Sequence, residues 1–423
     1  MTHPSFAVTR RLLLQGGLAT GLSLIPGLPH VAYAAGGVAG GGAAPAAVAG
    51  AETLVVVFLR GGADTLNLVA PVDDPDYRAA RPPELRVAED GPTAGVRLAQ
   101  SLASGIDFRL HPEAAPLAEL YQGGNLAIIH AAGLSDGTRS HFVAQDLMER
   151  GVGGEAELSR VGAGWAARWL AENGVSGVGA ISAASNTPAA LMGYGSALAV
   201  ADLRSGLAPP GGAQAADVLA GLFRGADGPY ANAARSALSG LSTIDGQLPR
   251  LPDGKVAPYA AEGGAVYEEN EAGRGLQTVA RLLKMDIGLR LAWVDVGGWD
   301  THEHQPGRFS NAVRQLSRAL AAFYADSHRD HGRVTMVVLS EFGRRLRGNK
   351  SQGTDHGHGG AMLVMGGRVA GGRMLGQWPG LASHQLDRGV DLAVTTDYRA
   401  VLAELVGASV FPNWTGRRLG VLA

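Results

Sequence analysis

Apolar and polar positions alternate along this chain in blocks, and the clearest block runs from Val334 to Leu339. It is continuous, apolar and rich in β-branched residues, as a strand covered on both faces should be. It ends abruptly at Ser340-Glu341-Phe342-Gly343-Arg344, and a Gly-containing polar loop then leads to Asp355-His356-Gly357-His358. Thr53 to Leu59 has the same make-up and ends in Arg60-Gly61-Gly62-Ala63-Asp64. Arg290 to Val296 repeats the pattern and ends in Gly297-Gly298-Trp299-Asp300-Thr301-His302-Glu303-His304. Further strands are predicted at Leu126 to His130 and Ala361 to Met365.

Between the strands the period changes to that of helices. Phe309, Val313, Leu316, Leu320 and Phe323 recur in steps of four and three, so one helical face packs on a sheet. Pro306 suits that helix's first turn. Helices are also predicted from His111 to Leu120, to about Arg150 after Phe142, and from Gly164 to Glu172. Others follow at Ala215 to Phe223, Ala231 to Leu241, Val266 to Lys284 and Asp397 to Leu405. Residues 71–109 are Pro- and Asp-rich and read as an excursion over the surface. Strands alternating with helices predict an α/β fold, an α/β/α sandwich around a doubly wound, mostly parallel sheet. Parallel strands send their carboxyl ends to one edge, where such folds place their ligands.

Composition narrows the chemistry. Charged residues make up 17% of the 423 residues and the formal net charge is −2, which does not suit a nucleic-acid surface. There is no cysteine, so disulfides, thiolate metal sites and a cysteine nucleophile are excluded. The first 34 residues read as an address. Thr9-Arg10-Arg11-Leu12-Leu13-Leu14 is a twin-arginine pattern, Gly16 to Leu28 is weakly apolar, and Ala32-Tyr33-Ala34 offers a cleavage site. The apolar run is short and interrupted, well under the roughly 20 residues that span a bilayer. The expectation is export of the folded protein by the twin-arginine translocase to the periplasm or beyond, with no stable membrane span after cleavage. Residues 35–52 read as a flexible linker. Residues 53–423 read as a single domain with a variable insertion around 151–265.

The candidate ligands are Asp64, Asp300, His302, His304, Glu341, Asp355, His356 and His358, all oxygen or nitrogen donors. Such a set suits a divalent metal, zinc or manganese foremost, as one or two ions. Ser140 falls near a helix N-terminus, where free N–H groups favour an anion, or where its hydroxyl caps the helix. Arg344, or Arg139, could clamp an oxyanion bidentately; alternatively Arg344 and Arg345 form a solvated surface pair.

The segments LVVVFLRGGADTLN (54–67), RSHFVAQDLME (139–149), GGWDTHEHQ (297–305), SEFGRRLRGNKSQGTDHGHGG (340–360) and TTDYRAVLAELV (395–406) resemble an exported bacterial family, domain of unknown function 1501. That family is grouped with the alkaline phosphatase and sulfatase-like superfamily. The resemblance implies an alkaline-phosphatase-like fold with metals at the strands' carboxyl ends. It implies that Asp64, Asp300, His302 or His304, and His356 or His358 hold metal. Ser140, or else Thr138, corresponds to the nucleophile. The superfamily's aspartate–histidine pair reads Glu341-Phe342 here, so the carboxylate is kept and the imidazole is not. The sulfatase maturation signature is missing around Ser140. The expected function is metal-dependent hydrolysis of a phosphate or sulfate ester on a small molecule or polymer. The alternative is a non-catalytic exported protein that keeps the fold and serves envelope or extracellular assembly.

Overall fold

The structure is a computed structural model that describes residues 52–98, 105–175, 177–207 and 212–423. The expected twin-arginine leader and almost all of the expected linker lie outside the described residues. A nine-stranded sheet organises the rest. Its strands are β1 (Thr53–Leu59), β2 (Leu126–Gly133), β3 (Ala180–Ser182), β4 (Leu198–Ala199), β5 (Leu291–Val296), β6 (Val334–Ser340), β7 (Gly360–Gly366), β8 (Arg373–Leu375) and β9 (Thr396–Asp397). Their order is β8-β2-β7-β6-β1-β5-β3-β4, with β9 also pairing with β2. β1 lies parallel between β5 and β6, as their shared apolar make-up predicts. Only β7 runs antiparallel, against both β2 and β6.

β1 shows why the sheet sits in the middle. All seven of its residues are buried. Val55, Val57 and Leu59 face one core cluster, and Leu54, Val56 and Phe58 face another, because successive side chains point to opposite faces. The first core is covered by α1 (Ala115–Gln122), α4 (Glu271–Leu283) and α5 (Gln305–Asp326). Phe309, Val313, Leu316, Leu320 and Phe323 all bury into it, as their spacing requires. The second core is covered by α2 (His141–Arg150), α3 (Trp165–Glu172) and α6 (Tyr398–Val406). The molecule is therefore an α/β/α sandwich.

Three stretches differ from the sequence reading. α4 starts at Glu271 rather than near Val266, because the Asn270 side chain accepts a hydrogen bond from Gly273 N and caps the helix there. The section from 151 to 265 supplies β3 and β4 to the main sheet, besides its helices. The excursion at 71–109 is built in as well. It forms a short sheet from Val69–Pro71, Val96–Arg97 and Phe108–Leu110, and it carries the fully buried Arg81.

In register, Leu59 stands opposite Val296 on one side and Ser340 on the other. The loops after β1, β5 and β6 therefore leave the sheet at the same level. The chain after β6 folds into an antiparallel hairpin, Arg344–Gly348 against Thr354–His356, over that edge.

Candidate metal centre

The loop after β1 turns on two glycines with left-handed backbones, Gly61 (φ +121°) and Gly62 (φ +64°). A Cβ on Gly61 would come within 2.5 Å of Asp300 N, and one on Gly62 within 2.3 Å of the Phe342 ring. Two unbranched positions thus let the loops after β1, β5 and β6 close on one another.

Three imidazoles and a carboxylate meet where they close. One ligand atom each from His141, Asp300 and His356 lies within 4.8 Å of the others. His302 Nε2 lies beside two members of this group, 3.0 Å from Asp300 Oδ1 and 2.9 Å from His356 Nε2. His356 Nε2 is 3.2 Å from the same Asp300 oxygen, and His141 Nε2 is 3.6 Å from Asp300 Oδ2. Asp300 is exposed, so the cluster opens to solvent on one side.

The other nitrogen of each ring is already engaged. His141 Nδ1 lies 2.8 Å from Glu341 Oε1, His302 Nδ1 3.3 Å from Asp355 Oδ1, and His356 Nδ1 2.9 Å from the Arg139 carbonyl. A carbonyl or an ionised carboxylate only accepts, so each neutral ring carries its proton on Nδ1. The Nε2 atoms are then lone pairs facing one another and a carboxylate. Two lone pairs 2.9 Å apart repel, and His141 Nε2 is buried with no hydrogen-bond partner. One divalent cation among three nitrogens and a carboxylate oxygen removes both conflicts. Oxygen acceptors behind metal-binding histidines are the usual outer support of such sites. The residues present therefore fit zinc or manganese.

Charge in the cluster follows these contacts. Burial would raise the Asp300 carboxyl, but Arg344, with His356 and His302, outweighs it and holds the pKa at about 2. Burial would likewise raise Glu341, yet hydrogen bonds from His141 and Gln145 hold it below the usual carboxylate range. The Glu341 carboxylate in turn lifts the His141 pKa. Burial lowers that of His356.

Of the residues singled out in the sequence, Asp300, His302 and His356 come together. Glu341 sits behind them, fully buried, bonded to His141, Gln145 and Gly61 N rather than turned into the cluster. Asp64 lies apart. Its oxygens are taken by Arg81 at 2.5 and 2.9 Å and by Gln305 Nε2 at 2.6 Å, so it is a buried ion-pair partner in place of the expected ligand. His358 is also apart, with Nε2 2.9 Å from the Leu134 carbonyl and Nδ1 3.1 Å from Asp387. His304 is exposed at the start of α5.

Arg344 is neither a surface residue nor a free clamp. It is buried and binds the carbonyls of Gly61, Gly62, Trp299 and Thr354 together with Asp300 Oδ1, at 2.5 to 3.2 Å. Arg139 is tied to Asp387 and Asp391. Ser140 is the N-cap of α2, but its side chain makes no capping hydrogen bond. It is exposed and stands between Arg139, whose carbonyl holds His356, and His141. His141 went unmarked in the sequence, where its motif drew attention to Ser140; its one signal was an imidazole on the first helical residue of that motif.

Among solved structures, the chain is similar to the C-terminal periplasmic domain of EcEptC from Escherichia coli in complex with Zn, at 10% identity and a TM-score of 0.39 over 86% of this chain and 88% of that one. It is also similar to the PH0037 protein of Pyrococcus horikoshii, at 11% identity and a TM-score of 0.29 over 75% of this chain and 86% of that one. A third is the lipoteichoic acid synthase LtaP of Listeria monocytogenes, at 7% identity and a TM-score of 0.28 over 88% of this chain and 74% of that one. No curated protein matches the sequence. Residues 245–412 match the model of the family described as "Protein of unknown function (DUF1501)", the family that the sequence motifs resemble.

Proposed function

We propose that the protein is an exported, metal-dependent hydrolase of phosphate or sulfate esters. The observation that carries this reading is the set of three Nε2 lone pairs turned toward Asp300, each ring fixed from behind by an oxygen acceptor. His141, His302, His356 and Asp300 would hold one zinc or manganese ion. Such an ion supplies Lewis-acid polarisation of an ester oxygen and lowers the pKa of a bound water or hydroxyl.

The chain's own residues prepare that chemistry. Glu341, Asp355 and the Arg139 carbonyl orient the rings. Arg344 keeps Asp300 ionised and pins three loops to it. Phe342, standing where the superfamily keeps an imidazole, packs its ring 4.9 Å from both His141 and His356 and walls off one side. Ser140 offers a hydroxyl not used for capping, on the residue before His141, and is the nucleophile in this reading. With Asp64 paired to Arg81, the proposal needs one ion rather than two.

A second reading, a non-catalytic exported assembly protein with a structural metal, is favoured by one fact. Both arginines expected to clamp an oxyanion are consumed by bonds within the fold. The two readings separate in an assay of the zinc- or manganese-loaded protein on phosphomonoesters, phosphodiesters and sulfate esters. The hydrolase reading predicts turnover that is lost on chelation, and that falls in Ser140→Ala while metal content holds. Full metal loading with no turnover on any of the three classes would favour the assembly reading.

A further inference from the structure

We propose that the exposed face of the 344–356 hairpin docks a polyanion, a chain bearing repeated phosphate or sulfate groups, beside the metal centre. The proposal takes the substrate class from the hydrolase reading, but the docking surface stands on separate observations.

Strand alternation splits the hairpin's basic residues. Arg344 and Leu346 point inward and are buried, while Arg345 and Arg347 point outward and are exposed, as is Lys350 at the turn. Among the described residues, none of these three makes an ion pair. Exposed arginines elsewhere are commonly neutralised, for example Arg78 by Glu89, Arg204 by Asp202 and Arg318 by Glu268. Three exposed cations without an ion pair thus stand within six residues on one short element, and its second strand ends in His356.

The hairpin is also held in fixed register with the cluster. Asn349 Nδ2 donates to the His302 carbonyl at 2.8 Å and to Asp355 Oδ1 at 3.1 Å. His304 N and Gln305 N donate to the carbonyls of Ser351 and Gln352. A Cβ on Gly353 would fall 2.2 Å from the His302 carbonyl, so the two loops are in close contact. An anion bound on this face is thus placed at a set distance from the three imidazoles. Arg345 and Arg347 lie two residues apart on one face of the strand, about 7 Å along it, and Lys350 follows at the turn, so the face offers three cations in succession. A chain with successive anionic groups can meet Arg345, Arg347 and Lys350 in turn. None of these side chains is locked in an ion pair, in contrast to Arg344 and Arg139.

The test is direct binding of fluorescently labelled polyphosphate, and of dextran sulfate, to the zinc-loaded protein, followed by anisotropy at several salt concentrations. Uncharged dextran is the blank. Wild type should bind either or both polyanions, with affinity that falls steeply with salt. The triple variant R345Q/R347Q/K350Q should bind at least tenfold more weakly and with a salt slope shallower by about two, as loss of three contacts to a flexible polyanion implies. R417Q/R418Q, which removes two exposed cations near the C-terminus, should bind like wild type. Metal content and Tm of each variant establish that it is folded. No binding by wild type, or equal binding and slope in the triple variant, would overturn the proposal. Binding without turnover of any ester would instead leave the docking surface standing and remove the hydrolase reading.

Discussion

The hydrogen bond between His141 Nδ1 and Glu341 decides which ring nitrogen is free, and Asp355 does the same for His302. Replacing such a carboxylate by its amide keeps the shape but weakens orientation and ligand basicity. Glu341→Gln and Asp355→Asn should each lower metal affinity 10- to 100-fold with the fold intact, as read by competition with a chelating dye. Asp64 and Asp300 carried nearly the same signal in the sequence, since each follows a strand and a glycine pair. Arg81, seventeen residues after Asp64 on a stretch without periodicity, separates them in space. Nothing in local sequence says where such a distant partner will arrive. His130 is a second residue whose role is physical rather than chemical. It is fully buried, and burial pulls its pKa down to about 4, outweighing its bond to the Val69 carbonyl. A folded pKa below the unfolded value of about 6.5 means that the unfolded chain binds the extra proton between those values. The contribution of His130 to stability should therefore be full above pH 6.5 and fall by about 3 kcal/mol as pH drops to 4. In His130→Gln, chemical denaturation should show a shallower fall over the same window.

The hairpin over the carboxyl edge unites most of the site. It brings His356 and Asp355 to His302, pins the loops through Arg344, and supports Arg81 through the Leu346 and Arg345 carbonyls. Gly353→Ala places a methyl group against the His302 carbonyl and should push the hairpin off the loop after β5. The expected result is lost metal at near-native far-UV signal, because the nine-stranded sheet does not depend on that contact. Elements with a strong period were legible in the sequence. β1, β5 and β6 and the long helix α5 come out where the apolar pattern puts them. The hairpin was not, because its strand 344–348 alternates inward Arg and Leu with outward Arg, and an inward arginine breaks the apolar signal. Short strands such as β3 and β4, with three and two residues, are also below what periodicity can resolve.

At the scale of the whole molecule, topology does what no single motif can. Residues 61, 141, 300, 302, 341 and 356 meet because β1, β2, β5 and β6 all run the same way in one sheet. The sequence showed that three of these loops share an edge, and it left open which side chains turn inward. The leader belongs to this scale too. No helix among the described residues is long and apolar enough to cross a membrane. Export is expected to depend on Arg10 and Arg11, and the Arg10→Lys, Arg11→Lys double variant should accumulate in the cytoplasm with its leader uncleaved. Normal periplasmic delivery of that variant would remove the twin-arginine reading. The central claim is that His141, Asp300, His302 and His356 form one metal centre, and elemental analysis of purified, never-chelated protein tests it most directly. The account predicts close to one zinc or manganese per chain, lost in Asp300→Ala combined with His356→Ala while the sheet remains folded. A folded wild-type protein with no stoichiometric metal, or a double variant that keeps its full metal content, would contradict it.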